Sequence, residues 1–138
     1  MTEELPFFVY GTLRPGEHNH DLFLRGRTCA EEPARLPGAL LYEGPGYPYA
    51  VEGDGTVTGE LVTAAPGHHR ELTAVLDHLE EYVAPADPRN LYERVVRTVR
   101  TERGAVAAWV YLAAEHTAAE LRARGTLIPG GNWSTASG

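Results

Sequence analysis

The first apolar stretch of the chain, residues 5–10, is aromatic and hydrophobic and predicts a buried strand that stops at Gly11. A loop with two glycines and a proline follows, Tyr10-Gly11-Thr12-Leu13-Arg14-Pro15-Gly16. Asn19 then stands where it can cap a short helix through Leu22, Phe23 and Leu24, ended near Gly26. Residues 36–42 predict a strand in which Pro37 and Gly38 mark a bulge or an edge. Gly44-Pro45-Gly46-Tyr47-Pro48 is a turn cluster. Residues 56–63 alternate Val57, Gly59 and Leu61 with Thr58, Glu60 and Val62, which is strand chemistry. The clearest helix covers residues 67–82, with Leu72, Val75, Leu76, Leu79 and Tyr82 at helical spacing. After a loop over residues 83–90, the runs 92–101 and 105–112 flank Glu102-Arg103-Gly104 and predict a hairpin. Residues 118–124 predict a short helix and residues 128–133 an irregular tail. The order β-α-β-β-α-β-β points to a mixed α+β fold with a curved sheet rather than a regular βαβ ladder.

Composition narrows the function. A chain of 138 residues fits one compact domain, and 43% hydrophobic with 22% charged residues is an ordinary globular balance. A formal net charge of −7 argues against a general nucleic-acid binder, which needs a basic surface to displace counterions. It also disfavours an electrostatic hold on anionic membranes, while leaving room for a local basic patch around an anionic substrate. The single cysteine, Cys29, has no intramolecular disulfide partner and suits a reducing, cytoplasmic setting. Met1-Thr2-Glu3-Glu4 lacks the basic start of a signal peptide, and the apolar run 105–114 is too short to span a bilayer. No heptad or exposed stripe indicates an oligomeric state.

Two segments carry candidate chemistry. In Tyr10-Gly11-Thr12-Leu13, a glycine directly after a strand lets successive N–H groups converge on a carboxylate or an oxyanion. The same spacing also describes a plain strand-to-loop turn. It is not a Walker loop, since no Gly-Lys-Ser/Thr follows. In Leu76-Asp77-His78-Leu79-Glu80-Glu81-Tyr82, helix geometry puts Glu81 almost opposite the Leu72/Leu76/Leu79 stripe and Glu80 at its border. Glu81 is then solvated, and Glu80 reaches a cavity at the core edge, where partial desolvation suits a carboxylate to proton transfer. Asp77 is placed to raise the Glu80 pKa further or to orient it. Taken alone, the pattern is also that of two ordinary surface carboxylates at a helix end. His18, His20, His68, His69 and His78 lack the partners and spacing of a metal site, and nothing near Cys29 marks an activating base. Tyr42, Tyr47, Tyr49, Tyr82, Tyr92, Trp109 and Tyr111 supply core or rim aromatics. Arg94 shares a sheet face with Tyr92 and can pair with Asp77 or with a substrate carboxylate.

In order and spacing these segments resemble the gamma-glutamylcyclotransferase-like family, over nearly the whole chain. The resemblance rests on Phe8-Val9-Tyr10-Gly11-Thr12-Leu13, Tyr47-Pro48-Tyr49-Ala50-Val51 and Val57-Thr58-Gly59-Glu60-Leu61. It continues through Leu76-Asp77-His78-Leu79-Glu80, Tyr92-Glu93-Arg94, Trp109-Val110-Tyr111 and residues 128–133. It implies a compact mixed β-barrel flanked by helices, and cyclisation of a gamma-glutamyl amide to 5-oxoproline with release of the amine. Glu80 is the implied acid/base. Tyr10, Gly11, Thr12 and Leu13 are the implied substrate-binding loop, with Tyr111 as a further pocket hydroxyl. The implied partner is a small gamma-glutamyl molecule, and no metal or cofactor is required. Glu81 departs from the small residue, often glycine, that usually follows the catalytic glutamate. Gly130-Gly131-Asn132-Trp133 lacks the acidic residue common before the Trp. A binding module for a gamma-glutamyl or other carboxylate ligand, and an amidohydrolase releasing glutamate, stand as alternatives.

Overall fold

Two long antiparallel strands make most of the wall. In the computed structural model, which describes residues 4–17 and 19–133, β2 (Thr28–Glu43) and β3 (Pro48–Ala64) pair from Thr28 opposite Ala64 to Glu43 opposite Pro48. Both are about twice the length the alternation indicates. Pro33, Pro37 and Gly38 in β2, and Gly53 and Gly55 in β3, interrupt the periodic signal without ending the pairing. The expected irregularity at Pro37 and Gly38 is present as a register shift between Pro37 and Ala39, with Gly38 at φ 76°.

β1 (Phe7–Val9) lies antiparallel to β3 and parallel to β5 (Gly104–Ala113). β4 (Tyr92–Thr101) and β5 form the predicted hairpin, in register from Tyr92 opposite Ala113 to Thr101 opposite Gly104. β4 reaches β2 at the Arg35–Arg100 pair, so the ring β1-β3-β2-β4-β5 closes into a barrel. With its flanking helices, this is the α+β architecture expected from the sequence.

β1 shows why the core has two halves. Successive side chains point to opposite faces. Phe7 and Val9 join Leu24, Leu72 and Leu76, while Phe8 and Tyr10 join Leu36, Leu41, Leu61 and Val110. The first cluster seats α1 (His69–Leu79) through Leu72 and Leu76, both fully buried. Burying each such side chain contributes about 2 kcal/mol. A second helix, α2 (Glu115–Arg124), begins three residues before the predicted 118–124 segment.

Two local expectations are corrected. The segment after Asn19 is a single π-helical turn, His20–Leu24, and Asn19 makes no side-chain cap. Its amide donates instead to Thr12 Oγ1 at 2.8 Å, and its N–H to the Thr12 carbonyl at 3.1 Å, folding the loop back on itself. The helix predicted over 67–82 ends at Leu79. His18 lies outside the described residues.

Candidate active site

A cavity of about 390 Å³ opens where four pieces meet: the loop leaving β1, the Tyr47-Pro48 turn, the C-terminal end of α1, and the hairpin residues Tyr92 and Tyr111. Tyr10, Gly11, Thr12, Leu13, Glu80 and Tyr111 all line it.

Glu80 reaches the cavity by a route other than the helix face. It is the C-cap residue of α1, at φ −87° and ψ 5°. The Glu81 N–H donates to the His78 carbonyl at 3.2 Å and the Tyr82 N–H to the Asp77 carbonyl at 2.9 Å. Those two bonds are the Schellman arrangement, in which the residue after the cap adopts a left-handed conformation and is usually glycine. Glu81 occupies that position at φ 52°. The backbone therefore explains why a small residue suits this place. Glu81 is exposed, as expected, because the chain turns outward after the cap.

The Glu80 side chain is partly buried, and its carboxylate takes no hydrogen bond among the described residues. Burial pushes its pKa up from 4.5 to about 7, because the charged form has lost solvent without gaining a donor. Asp77 plays no part in that shift. It accepts 2.6 Å from the Tyr111 hydroxyl and 2.8 Å from Arg94 Nε. The Arg94 guanidinium carbon also lies 4.3 Å from the Trp109 ring centroid and 5.2 Å from that of Tyr82. Arg94 is thus committed to the fold through Asp77 and two rings.

The phenols are committed as well. The Tyr10 hydroxyl donates to the Tyr111 carbonyl, and the Tyr92 hydroxyl to the Pro48 carbonyl at 2.8 Å. Burial, and secondarily the Glu80 charge, hold the Tyr10 hydroxyl well above its usual pKa. Burial, then the bond to Asp77, does the same for Tyr111. Tyr111 therefore contributes a ring to the cavity while its hydroxyl proton is held by Asp77.

The loop leaving β1 supplies another part of the wall. The N–H groups of Gly11, Thr12 and Leu13 make no hydrogen bond to protein among the described residues. A Cβ on Gly11 would sit 2.9 Å from Pro48 Cδ, so glycine is required by the approach of the Tyr47-Pro48 turn. Arg14 then anchors the loop. It grips Glu60 with two bonds of 2.8 and 3.1 Å and reaches Asn132 Oδ1 at 2.5 Å and the Trp133 carbonyl at 2.7 Å.

Arg14 is a site-building residue that the sequence reading left without a role, while Asn19 was read as a cap and Tyr92 as a core or rim aromatic. No local signal marks Arg14, because its partner Glu60 lies on a distant strand. Asn90, buried, organises the 83–90 loop by accepting from the Val83 N–H at 2.7 Å and donating to the Ala84 carbonyl at 2.7 Å and to Glu93 at 2.8 Å. His20, His68 and His69 do not line the cavity, and Cys29 is exposed. Among the described residues no group of three or more His, Cys, Asp or Glu side chains is placed to hold a metal. No helix among them is long and apolar enough to cross a membrane.

The arrangement can hold an anion on backbone donors and move a proton at a carboxylate across the same cavity. Comparison with known proteins agrees in family. Residues 7–135 match the family described as gamma-glutamyl cyclotransferase, AIG2-like. The chain is 36% identical, over 105 residues, to the gamma-L-glutamyl-butirosin B gamma-glutamyl cyclotransferase of Niallia circulans; the match covers 76% of this chain and 64% of that protein. It is 32% identical to a Vibrio cholerae protein provisionally named a gamma-glutamylcyclotransferase, covering 91% of this chain and 92% of that one. The fold is shared with the crystal structure of an AIG2-like protein from Mus musculus, at TM-score 0.70 and 23% identity over 97% of this chain and 90% of that one. With the match running from the first strand to the closing segment, the chain belongs to the gamma-glutamyl cyclotransferase, AIG2-like family.

Proposed function

We propose that this protein cyclises the gamma-glutamyl group of a gamma-glutamyl amide to 5-oxoproline and releases the free amine. The observation that carries the reading is Glu80: a carboxylate that takes no hydrogen bond among the described residues, shifted to about 7 by burial, and lining one cavity with Gly11, Thr12 and Leu13, whose backbone N–H groups make no hydrogen bond among those residues.

The substrate's own α-amino group is the nucleophile and must lose its proton. A carboxylate near 7 lies close to an α-ammonium group, ordinarily about 8, so the transfer is nearly balanced. Glu80 takes that proton. The neutral amine attacks the gamma-carbonyl carbon and closes a five-membered ring. The oxyanion that forms is held by the N–H groups of Gly11, Thr12 and Leu13. Glu80 returns its proton to the leaving nitrogen as the C–N bond breaks. The ring nitrogen sheds its extra proton to the departing amine, which leaves as an ammonium ion. No water is consumed. Attack within one molecule means that positioning lowers much of the barrier, which suits a site with few reactive groups.

Incubation with a panel of gamma-glutamyl amides, followed by mass spectrometry, tests the reading. It predicts 5-oxoproline and free amine in equal amounts. Free glutamate in place of 5-oxoproline would make the protein a hydrolase, and saturable binding with no product would make it a binding module.

A further inference from the structure

We infer that the closing segment, residues 128–133, is a working part of the reaction site although it does not line the cavity. Acting through Arg14, it sets where the N–H groups of the 11–13 loop stand, which makes Arg14 and Asn132 positioning residues. The inference rests on the cyclotransferase reading and deepens it.

The loop has its acceptors tied and its donors left open. The Arg14 N–H donates to the Gly11 carbonyl at 3.0 Å and closes a four-residue turn. Asn19 takes the Thr12 carbonyl and hydroxyl. Leu13 is buried in the same core cluster as Leu24 and Leu72. None of these ties uses the N–H of Gly11, Thr12 or Leu13. Such donors stabilise a developing charge only as well as they are held in place before it forms.

Arg14 does the holding at the end of the turn. An arginine next to an anion-binding loop could take the anion itself, yet Arg14 is not among the described residues that line the cavity. Its side chain, 15% exposed, is spent on two other elements. Nε and Nη2 bind Glu60, which pairs with Val9 of β1, while Nη1 reaches the Asn132 side chain and the Trp133 carbonyl. A planar fork can span both elements, and the single ammonium of a lysine cannot reproduce it. The closing segment is a firm support for that grip. The Ile128 N–H donates to the Leu41 carbonyl at 2.9 Å. Gly131 is buried so closely that a Cβ there would sit 2.1 Å from the Thr56 carbonyl oxygen. Ile128 and Trp133 pack against the core half that holds Phe8 and Tyr10, and Tyr10 leads directly into the loop.

Kinetics of 5-oxoproline release, expressed per intact site, test this. A glutaric acid monoamide, which lacks the α-amino group and cannot cyclise, counts intact sites by calorimetric titration. R14A should lower kcat per site by about 10²-fold, as for donors displaced by about an ångström, and R14K by about tenfold. KM should stay within about twofold, because the interaction lost is one made in the transition state, and the acid-side midpoint of kcat/KM should not move. N132L should lower kcat about threefold, the scale of one hydrogen bond, while N132D, which still accepts from Arg14, should keep it. Guanidinium chloride at low millimolar concentration should restore part of the R14A loss. A merely structural role for Arg14 predicts fewer intact sites at unchanged kcat per site, with no such rescue. That result, or wild-type kcat per site in both R14K and N132L, overturns the inference while 5-oxoproline release by the wild type leaves the cyclotransferase standing. If R14A does not fold, R14K and N132L decide the matter. Absence of 5-oxoproline from the wild type across the whole panel overturns the cyclotransferase reading, and this inference with it.

Discussion

Asp77 and Glu80 stand three residues apart at the end of one helix, and the barrel treats them in opposite ways. On the Asp77 flank every charge is answered: Arg94 and Tyr111 donate to the carboxylate, and two aromatic rings lie against the guanidinium. On the cavity side Glu80 has lost solvent and received no donor among the described residues, and the N–H groups of the 11–13 loop, which lines the same cavity, make no hydrogen bond among them. Paired buried charges hold a structure in place but have little left to offer a substrate. An unanswered carboxylate costs stability and gains proton affinity, which is the usual relation between a functional site and its scaffold. The rigid flank is what allows the cavity side to stay unsatisfied.

The largest effect separates the two carboxylates by chemistry. Glu80→Gln should lower 5-oxoproline release by about 10²- to 10⁴-fold, the range for losing a general acid/base, with an unchanged circular dichroism spectrum. A Glu80→Gln protein of near wild-type turnover would end the distinction.

The next effect is electrostatic. The Glu80 pKa is raised on folding, so between pH 4.5 and 7 the folded state binds more protons than the unfolded one. Stability contributed by Glu80 therefore falls as pH rises through that window, by up to about 3 kcal/mol. Subtracting urea unfolding curves of Glu80→Gln from those of the wild type should expose this slope, and parallel curves would refute it. Asp77→Ala should act oppositely. It leaves Arg94, whose side chain is 17% exposed, without its partner, and should cost about 2 kcal/mol of stability at neutral pH. Full stability in that variant would show that the flank is not the rigid half.

Smaller effects sharpen the picture at the backbone. Gly11→Ala must displace the Pro48 ring and should cost about 1–2 kcal/mol, with a lower kcat/KM from the disturbed donor loop. Glu81→Gly should raise stability by about 1 kcal/mol in thermal unfolding, because it relieves the left-handed strain while removing the rim charge.

How much of this the sequence disclosed depended on whether the signal was local. The Leu72/Leu76/Leu79 spacing located α1. It could not show that the helix stops at Leu79, because Glu81 fills a position that glycine normally announces. The Arg94–Asp77 pair was among the readings that sheet alternation allowed, but the choice of Asp77 between Arg94 and Glu80 was made by β5, which brings Tyr111 to it. Asn19 looked like a cap and became a tie to Thr12, since a returning loop offered the better partner. Barrel closure through Arg35–Arg100 and the parallel β1–β5 pairing joins residues far apart in the chain and leaves no periodic trace. Arg14 belongs to the same class. Its partners Glu60, Asn132 and Trp133 meet only in the folded barrel.

The pH dependence of kcat/KM for 5-oxoproline release tests the central claim most directly, because it asks whether the unanswered carboxylate is the one that works. If Glu80 must be ionised to accept the substrate's proton, kcat/KM should fall tenfold per pH unit on the acid side of a midpoint near 7. A profile that stays flat from neutral pH down to the ordinary glutamate range, and turns only near 4.5, would contradict the account.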